Sequence, residues 1–307
     1  MYTRREWGTR TLTGLAMPGF GHAGQIVSGV RLGVHTASFR ELPRKPGIDE
    51  VDTIIQAMVA CDVRECELFA PQVEPQYGAR HEARHHATKS VMSPQMMRRE
   101  LRKWRLRTPL DHFRTIGSKF RKAGIVVYAY NYSPNGSFTN EEIDRGFAMA
   151  KALGAEIITA STTLDVAKRI VPLAERHRMV VAMHSDSRTD DPVECATPDS
   201  FAALLEMSRY FKVNLDIGRF TACNFDAVAY IREHHADIAS LQLKDRRKNQ
   251  GDNVPWGQGD TPIREVLQLL KREGWPIQAH VGYEYRGRGN PVDDVKSCVA
   301  YAKQVLL

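Results

Sequence analysis

Eight short apolar or β-branched runs alternate with eight longer amphipathic segments along this chain, and that alternation limits the available folds more than any other feature. The runs are Val30 to Thr36, Glu65 to Ala70, Ile125 to Tyr130, Glu156 to Ala160, Met179 to His184, Phe211 to Asp216, Ile238 to Leu243 and Ile277 to Gly282. The amphipathic segments are Ile48 to Ala60, Pro94 to Ala123 with a break expected at Pro109, Asn140 to Leu153, Leu164 to His177, Pro198 to Tyr210, Phe225 to His235, Ile263 to Arg272 and Pro291 to Val305. A run such as Val180-Val181-Ala182-Met183 is apolar at every position, as a strand covered on both faces must be, and this predicts a parallel sheet. Successive β/α units of this number predict the α/β class and a single (β/α)8 TIM barrel over residues 30–307. A doubly wound open sheet is the alternative, but no G-x-G-x-x-G turn follows the first run and there is no P-loop.

Helix ends carry their own signals. Thr139 precedes Glu141 and Glu142, where carboxylates suit exposed N–H groups. Gly124, Gly154 and Gly274 each follow a helical run, the usual place for a residue that accepts positive φ.

Residues 1–29 stand apart. Thr3-Arg4-Arg5-Glu6-Trp7, the weakly apolar Leu12 to Phe20 and Gly21-His22-Ala23 are similar to a twin-arginine export signal, although Gly14, Pro18 and Gly19 interrupt the apolar part. The two expectations are a signal remnant, implying a periplasmic protein, and a disordered arm on a cytoplasmic one. No stretch approaches the roughly 18 apolar residues of a membrane span. Five scattered cysteines without a C-x-x-C pair read as isolated, mostly buried thiols. Much of the net charge of +7 comes from Arg98, Arg99, Arg102, Lys103, Arg105, Arg107, Arg114, Lys119, Arg121 and Lys122. A solvated helical face is expected there rather than a nucleic-acid surface, since no aromatic residues interleave the charges to stack on bases.

Barrels place chemistry at the carboxyl ends of their strands. Here those ends bring His35, Glu67, Asn131, Ser161, His184-Ser185-Asp186, Asp216, Gln242, Lys244-Asp245 and Glu284. His184 and Asp216 each end an apolar run, and an imidazole nitrogen with a carboxylate oxygen suits a divalent Mn, Zn, Co or Fe ion. A simple His–Asp hydrogen bond between two buried groups is the alternative. Lys244 offers an ammonium to a sugar hydroxyl or anion, or makes an ion pair at the strand end. One of Glu65 and Glu67 is expected to face the lumen, against a surface salt bridge. Trp256, in the loop Asn253-Val254-Pro255-Trp256-Gly257-Gln258-Gly259-Asp260, is a stacking platform for a sugar face or a packed residue in a capping loop. His85-His86 and His234-His235 have no carboxylate at ligand spacing and read as structural or surface residues.

Taken in order, Leu215-Asp216-Ile217-Gly218, Leu241-Gln242-Leu243-Lys244-Asp245, Pro255-Trp256-Gly257-Gln258-Gly259-Asp260 and Tyr283-Glu284-Tyr285 resemble the xylose-isomerase-like barrel superfamily of sugar isomerases and epimerases. The resemblance implies a metal-dependent isomerase, epimerase or keto-sugar lyase acting on a small sugar, with a carboxylate moving a proton beside a carbonyl. It implies a Mn, Co or Zn ion held by His184, Asp216, Gln242 and Glu284. Proton transfer falls to Glu67, Asp186 or Glu284, and His35, Asn131, Lys244 and Trp256 contact the sugar. Such barrels often pair as homodimers.

The sequence departs from that pattern at the ligands. Gln242 stands where a His is usual, Gly282 where the most similar branch has Glu, and Arg219 where a His often follows Asp-x-Gly. A neutral amide oxygen is a weaker donor than imidazole, glycine supplies none, and Arg219 opposes a cation. The expected outcomes are that Glu284 turns in, that Asp186 substitutes, or that tight metal binding is lost. In the last case the chain is a catalytically silent sugar-binding barrel. The abasic-site endonuclease branch would need several zinc ligands that these strand ends lack, and the missing Gly-rich cradle weighs against a phosphorylated substrate.

Overall fold

Thr139 Oγ1 accepts from the Glu142 amide at 3.2 Å, and the Glu142 carboxylate accepts from the Thr139 amide at 3.1 Å. This reciprocal cap starts a helix at Asn140 that ends at Gly154, whose φ of 84° no other residue type takes so cheaply. Local signals of this kind set most boundaries in the computed structural model, which describes residues 25–43, 49–75, 92–191, 193–285 and 289–307. Residues 1–24 of the export signal or arm, and the His85-His86 pair, lie outside the described residues.

Nine strands lie side by side in chain order: β1 (Ile26–Val27), β2 (Val30–His35), β3 (Glu65–Phe69), β4 (Val126–Asn131), β5 (Ile157–Ala160), β6 (Val181–His184), β7 (Phe211–Asp216), β8 (Ile238–Leu243) and β9 (Gln278–Val281). Strands β2 to β9 pair in parallel, and β2 pairs with β9, so the sheet closes into a (β/α)8 barrel. The ordered sheet begins before Val30. Ser28 and Gly29 both take positive φ, the geometry of a tight hairpin turn, and fold β1 antiparallel onto β2.

The helices are α1 (Glu50–Ala60), α2 (Pro94–Arg107), α3 (Leu110–Lys122), α4 (Asn140–Leu153), α5 (Leu164–His177), α6 (Pro198–Met207), α7 (Ile217–Ala222), α8 (Ala227–His234), α9 (Ile263–Glu273) and α10 (Pro291–Leu306). Pro109 divides α2 from α3 as expected. The short α7 was not foreseen; the Asp216 carboxylate caps it by accepting from the Arg219 amide at 3.0 Å. No helix among the described residues is long and apolar enough to cross a membrane.

Strand residues such as Leu32, Leu68, Leu215 and Leu241 pack with helical Ile54, Phe113, Phe147, Phe201 and Leu270 in one continuous apolar core. The basic segment is only partly a solvated face. Arg105 is buried, donating to both carboxylate oxygens of Glu74 at 2.7 Å, and Arg102 donates to Glu142 at 2.6 Å. These pairs tie α2 to the body of the barrel. Inside the barrel, a small apolar cluster of Tyr128, Ala129, Ile157 and Ala182 adjoins a set of fully buried polar residues: Glu65, Glu67, Thr159, Asn214, Ser240 and His280. Such barrels more often fill with branched apolar layers, so this polar interior requires internal partners.

Candidate functional site

The site is built upward from a buried carboxylate. Residues two apart on a strand share a face, so Glu65 and Glu67 both point inward, not one of them as the sequence reading had it. Arg31 pairs with Glu65, and His280 Nε2 stands 3.5 Å from Glu65 while its Nδ1 stands 3.7 Å from Glu67. Burial alone would pull the His280 imidazole down, but the two carboxylates outweigh it and raise its pKa above the ordinary value.

Glu67 accepts from Asn131 Nδ2 at 2.9 Å, Thr159 Oγ1 at 2.6 Å, Asn214 Nδ2 at 3.1 Å and Gln242 Nε2 at 2.9 Å. Burial pushes its pKa up, but His35, His280 and the Thr159 hydroxyl bring it well below the usual carboxylate range. A fully buried carboxylate with this many donors is an anchor, not a base that reaches substrate. Asn131 belongs to the same floor, occupied by Glu67 and Thr159, rather than to the open mouth.

The anchor orients the layer above it. Because ionised Glu67 only accepts, the Gln242 amide must turn its NH2 toward Glu67 and its oxygen toward His184 Nε2, 3.0 Å away. His184 therefore carries a proton on Nε2, and its Nδ1 stands 3.3 Å from Ser161 Oγ. The Asp216 carboxylate, 3.5 Å from the same Nε2, is a second acceptor facing that proton.

Asp216 is fully buried at the end of β7. Lys244 Nζ lies 2.7 Å from its Oδ2, Arg219 Nε lies 3.4 Å away, and Lys244 Nζ also donates to Glu284 Oε1 at 2.9 Å. Burial pushes the Asp216 carboxyl up, but Lys244, His184 and Arg219 hold it far below the usual range. The Lys244 charge likewise lowers Glu284, to about 2. Lys244 is 2% exposed and Glu284 23%, so the ammonium is enclosed while the carboxylate opens to the mouth. Asp186 accepts from the amides of Ser187 and Arg188 and from Arg219 Nη1 at 3.3 Å, which fixes it on the rim.

His35 closes β2 beside Glu67, its ring meeting Phe69 edge-on at 5.8 Å. Its Nε2 is buried with no hydrogen-bond partner. Burial lowers its pKa to about 4, with Lys244 and His184 acting in the same direction and Glu67 and Glu284 against it. A folded pKa below the unfolded value means that the unfolded chain binds more protons between the two. Stability is therefore whole above about pH 6.5 and declines by up to about 3 kcal/mol as pH falls toward 4. In urea denaturation, His35→Gln is expected to flatten that decline; equal slopes for variant and wild type would remove His35 as its source.

The structure brings His184, Asp216, Gln242, Glu284, Lys244 and His35 together, with Glu67 and Asn131 beneath them. Trp256 is not among these contacts; its indole meets Tyr301 of α10 at 5.8 Å and packs against the apolar core. Its loop is held by Asp245, which accepts from the amides of Gly257 at 2.7 Å, Gly259 at 3.1 Å and Thr261 at 3.3 Å. Sequence reasoning missed His280 and Asn214, although period-two alternation along β9 and β7 places them beneath Gly282 and Asp216.

The side chains expected to hold a Mn, Co or Zn ion do converge, but as arranged they do not fit one. The Lys244 ammonium lies between the two carboxylates, His184 presents a proton rather than a lone pair, and the Gln242 oxygen accepts that proton. Among the described residues, no group of three or more His, Cys, Asp or Glu side chains is placed to hold a metal.

A family model described as a xylose isomerase-like TIM barrel matches residues 94–304. A sugar phosphate isomerase/epimerase from Parabacteroides distasonis ATCC 8503 has a similar structure, with a TM-score of 0.58 at 13% identity over 93% of this chain and 97% of that one. A probable 3-DHS dehydratase from Bacillus anthracis gives 0.61 at 14% identity over 88% and 97%. The apo form of 3-keto-D-glucoside 4-epimerase from E. coli gives 0.62 at 10% identity over 90% and 99%. At these identities the likeness is one of fold. No curated protein matches the chain.

Proposed function

The chain belongs to the xylose isomerase-like TIM barrel family, and from that premise we propose that its mouth binds a small sugar or keto-sugar and moves a proton at the carbon beside the carbonyl. The activity is that of an isomerase, an epimerase or a keto-sugar lyase. One observation carries this: Glu284, a carboxylate open to the mouth, shares the enclosed Lys244 ammonium with Asp216. The neighbour named for a 3-keto-D-glucoside supports a keto-sugar as the substrate class.

The proton step follows from that pairing. Removing a proton beside a carbonyl leaves negative charge on the carbonyl oxygen, and that charge needs a cation. The Lys244 ammonium is positioned to take it up. As the ammonium turns from Glu284 toward the oxygen, the carboxylate loses the charge that holds its pKa down and becomes a better base at that moment. Glu284 accepts the proton, and the buried, unpartnered nitrogen of neutral His35 is left to hydrogen-bond a sugar hydroxyl that enters the mouth.

The test is deuterium uptake. Ketoses, aldoses and 3-keto-sugars incubated with the protein in D2O are expected to lose the proton NMR signal beside the carbonyl. Glu284→Gln is expected to slow this by about 10²- to 10⁴-fold while sugar still binds. Saturable sugar binding with no deuterium uptake would favour the second reading, a silent binding barrel. The observation behind that reading is that the mouth carboxylates are already paired within the chain.

A further inference from the structure

We infer that the Lys244 ammonium is the resident cation of this barrel and takes the place of a divalent metal at the carboxyl ends of β6 to β9. Three independent features of the site converge on this. The first is position: Nζ lies 2.7 Å from Asp216 and 2.9 Å from Glu284, and the same Asp216 oxygen stands 3.5 Å from His184 Nε2, which in turn meets Gln242 Oε1 at 3.0 Å. The second is room. A Cβ on Gly282 would stand 2.7 Å from Lys244 Cε and 2.9 Å from Cγ, so the lysine stem runs through space that any side chain at 282 would fill. The glycine that removes a ligand from one strand thus admits a cation from the next.

The third feature is charge and donor chemistry. Asp216 and Glu284 bring two negative charges that the Lys244 ammonium bridges, and Arg219, which Asp216 shares with Asp186, adds further positive charge, so the two carboxylates retain less attraction for a dication. Glu67 turns the Gln242 amide so that its oxygen accepts the His184 Nε2 proton, which closes the imidazole lone pair to a metal on that side. Each departure from the metal-site pattern therefore has a compensating partner. Gln242 sets the His184 proton, Gly282 admits Lys244, and Arg219 supports Asp216 from the other side.

This deepens the reading of the mouth as a carbonyl-activating site but does not depend on which sugar binds there, since the test needs no substrate. Wild type and Lys244→Met are titrated with Co2+ alone and followed by visible absorption and by thermal denaturation. Wild type is expected to show no saturable Co2+ signal. Lys244→Met, which loses one positive charge between two carboxylates, is expected to bind Co2+ at least about tenfold more tightly. An equal response from the two, whether both bind or neither does, would overturn the inference. If Lys244→Met does not fold, the metal content of wild type from cells grown with added Mn, Co and Zn decides. Less than a tenth of an ion per chain is expected (an order-of-magnitude bound for a site that coordinates no metal), and about one ion per chain would overturn it.

Discussion

Lys244→Met is expected to destabilise the folded chain by about 3–5 kcal/mol, because it removes one partner of a buried charge cluster and leaves the others without compensation. Asp216 Oδ2 would keep only Arg219 at 3.4 Å and His184 at 3.5 Å, and Glu284 would lose the ammonium that donates to it at 2.9 Å. The loss should appear as a lower urea midpoint at unchanged slope, since the surface exposed on unfolding stays the same. Deuterium uptake should fall by about 10²- to 10³-fold, the usual consequence of removing a preorganised charge from a developing oxyanion. A shorter stem that keeps the charge should not rescue it, because the reach past Gly282 is part of the geometry. A stable, active Lys244→Met protein would contradict both the structural and the chemical role.

The second large effect is expected beneath the mouth. Glu67→Gln preserves shape but replaces an acceptor-only carboxylate with an amide that turns its own NH2 against donors from Asn131, Thr159, Asn214 and Gln242. It also removes one of the charges that raise the His280 pKa. Together these should cost about 3–5 kcal/mol. The folded pKa of Glu67 lies below its ordinary value near 4.5, so its contribution is whole above that value and declines as pH falls below it. The stability difference between wild type and variant should shrink correspondingly in acid. The variant should also release the Gln242 amide, and with it the His184 tautomer. Nitrogen NMR of the imidazole should then show Nε2 no longer uniformly protonated, a change that loss of packing alone would not produce.

Most of the barrel was legible in the sequence because strand and helix periods are local properties. β7 and β8 begin and end where the apolar runs do, and Pro109 and Thr139 mark helix boundaries by their own backbone chemistry. The exceptions are contacts decided by partners distant in sequence. Glu65 and Glu67 share a face by simple alternation, yet the placement of Arg31 and His280, and of the donors Asn131, Thr159, Asn214 and Gln242, explains how two neighbouring buried acids are tolerated. Trp256 has the composition of a stacking platform, but Asp245 draws its loop inward and Tyr301 receives the indole.

The ligand departures show the same division. Gln242 and Gly282 could be seen to weaken a metal site, and Arg219 to oppose a cation. That Lys244 crosses the space vacated at 282 depends on the register of β8 against β9, in which Gln242 pairs with His280 and Leu243 with Val281. A one-residue shift would turn each of these side chains to the other face. The chemistry of the mouth thus follows from strand ends that sequence reasoning located, and from neighbours across strands that it did not.

The most direct measurement is anomalous scattering from crystals of the wild-type protein soaked in Mn2+. The expected result is continuous lysine density reaching Asp216 and Glu284, with no anomalous peak between them. A peak at about 2.0–2.2 Å from Asp216 and Glu284, with Lys244 turned away, would contradict an internal ammonium at this site.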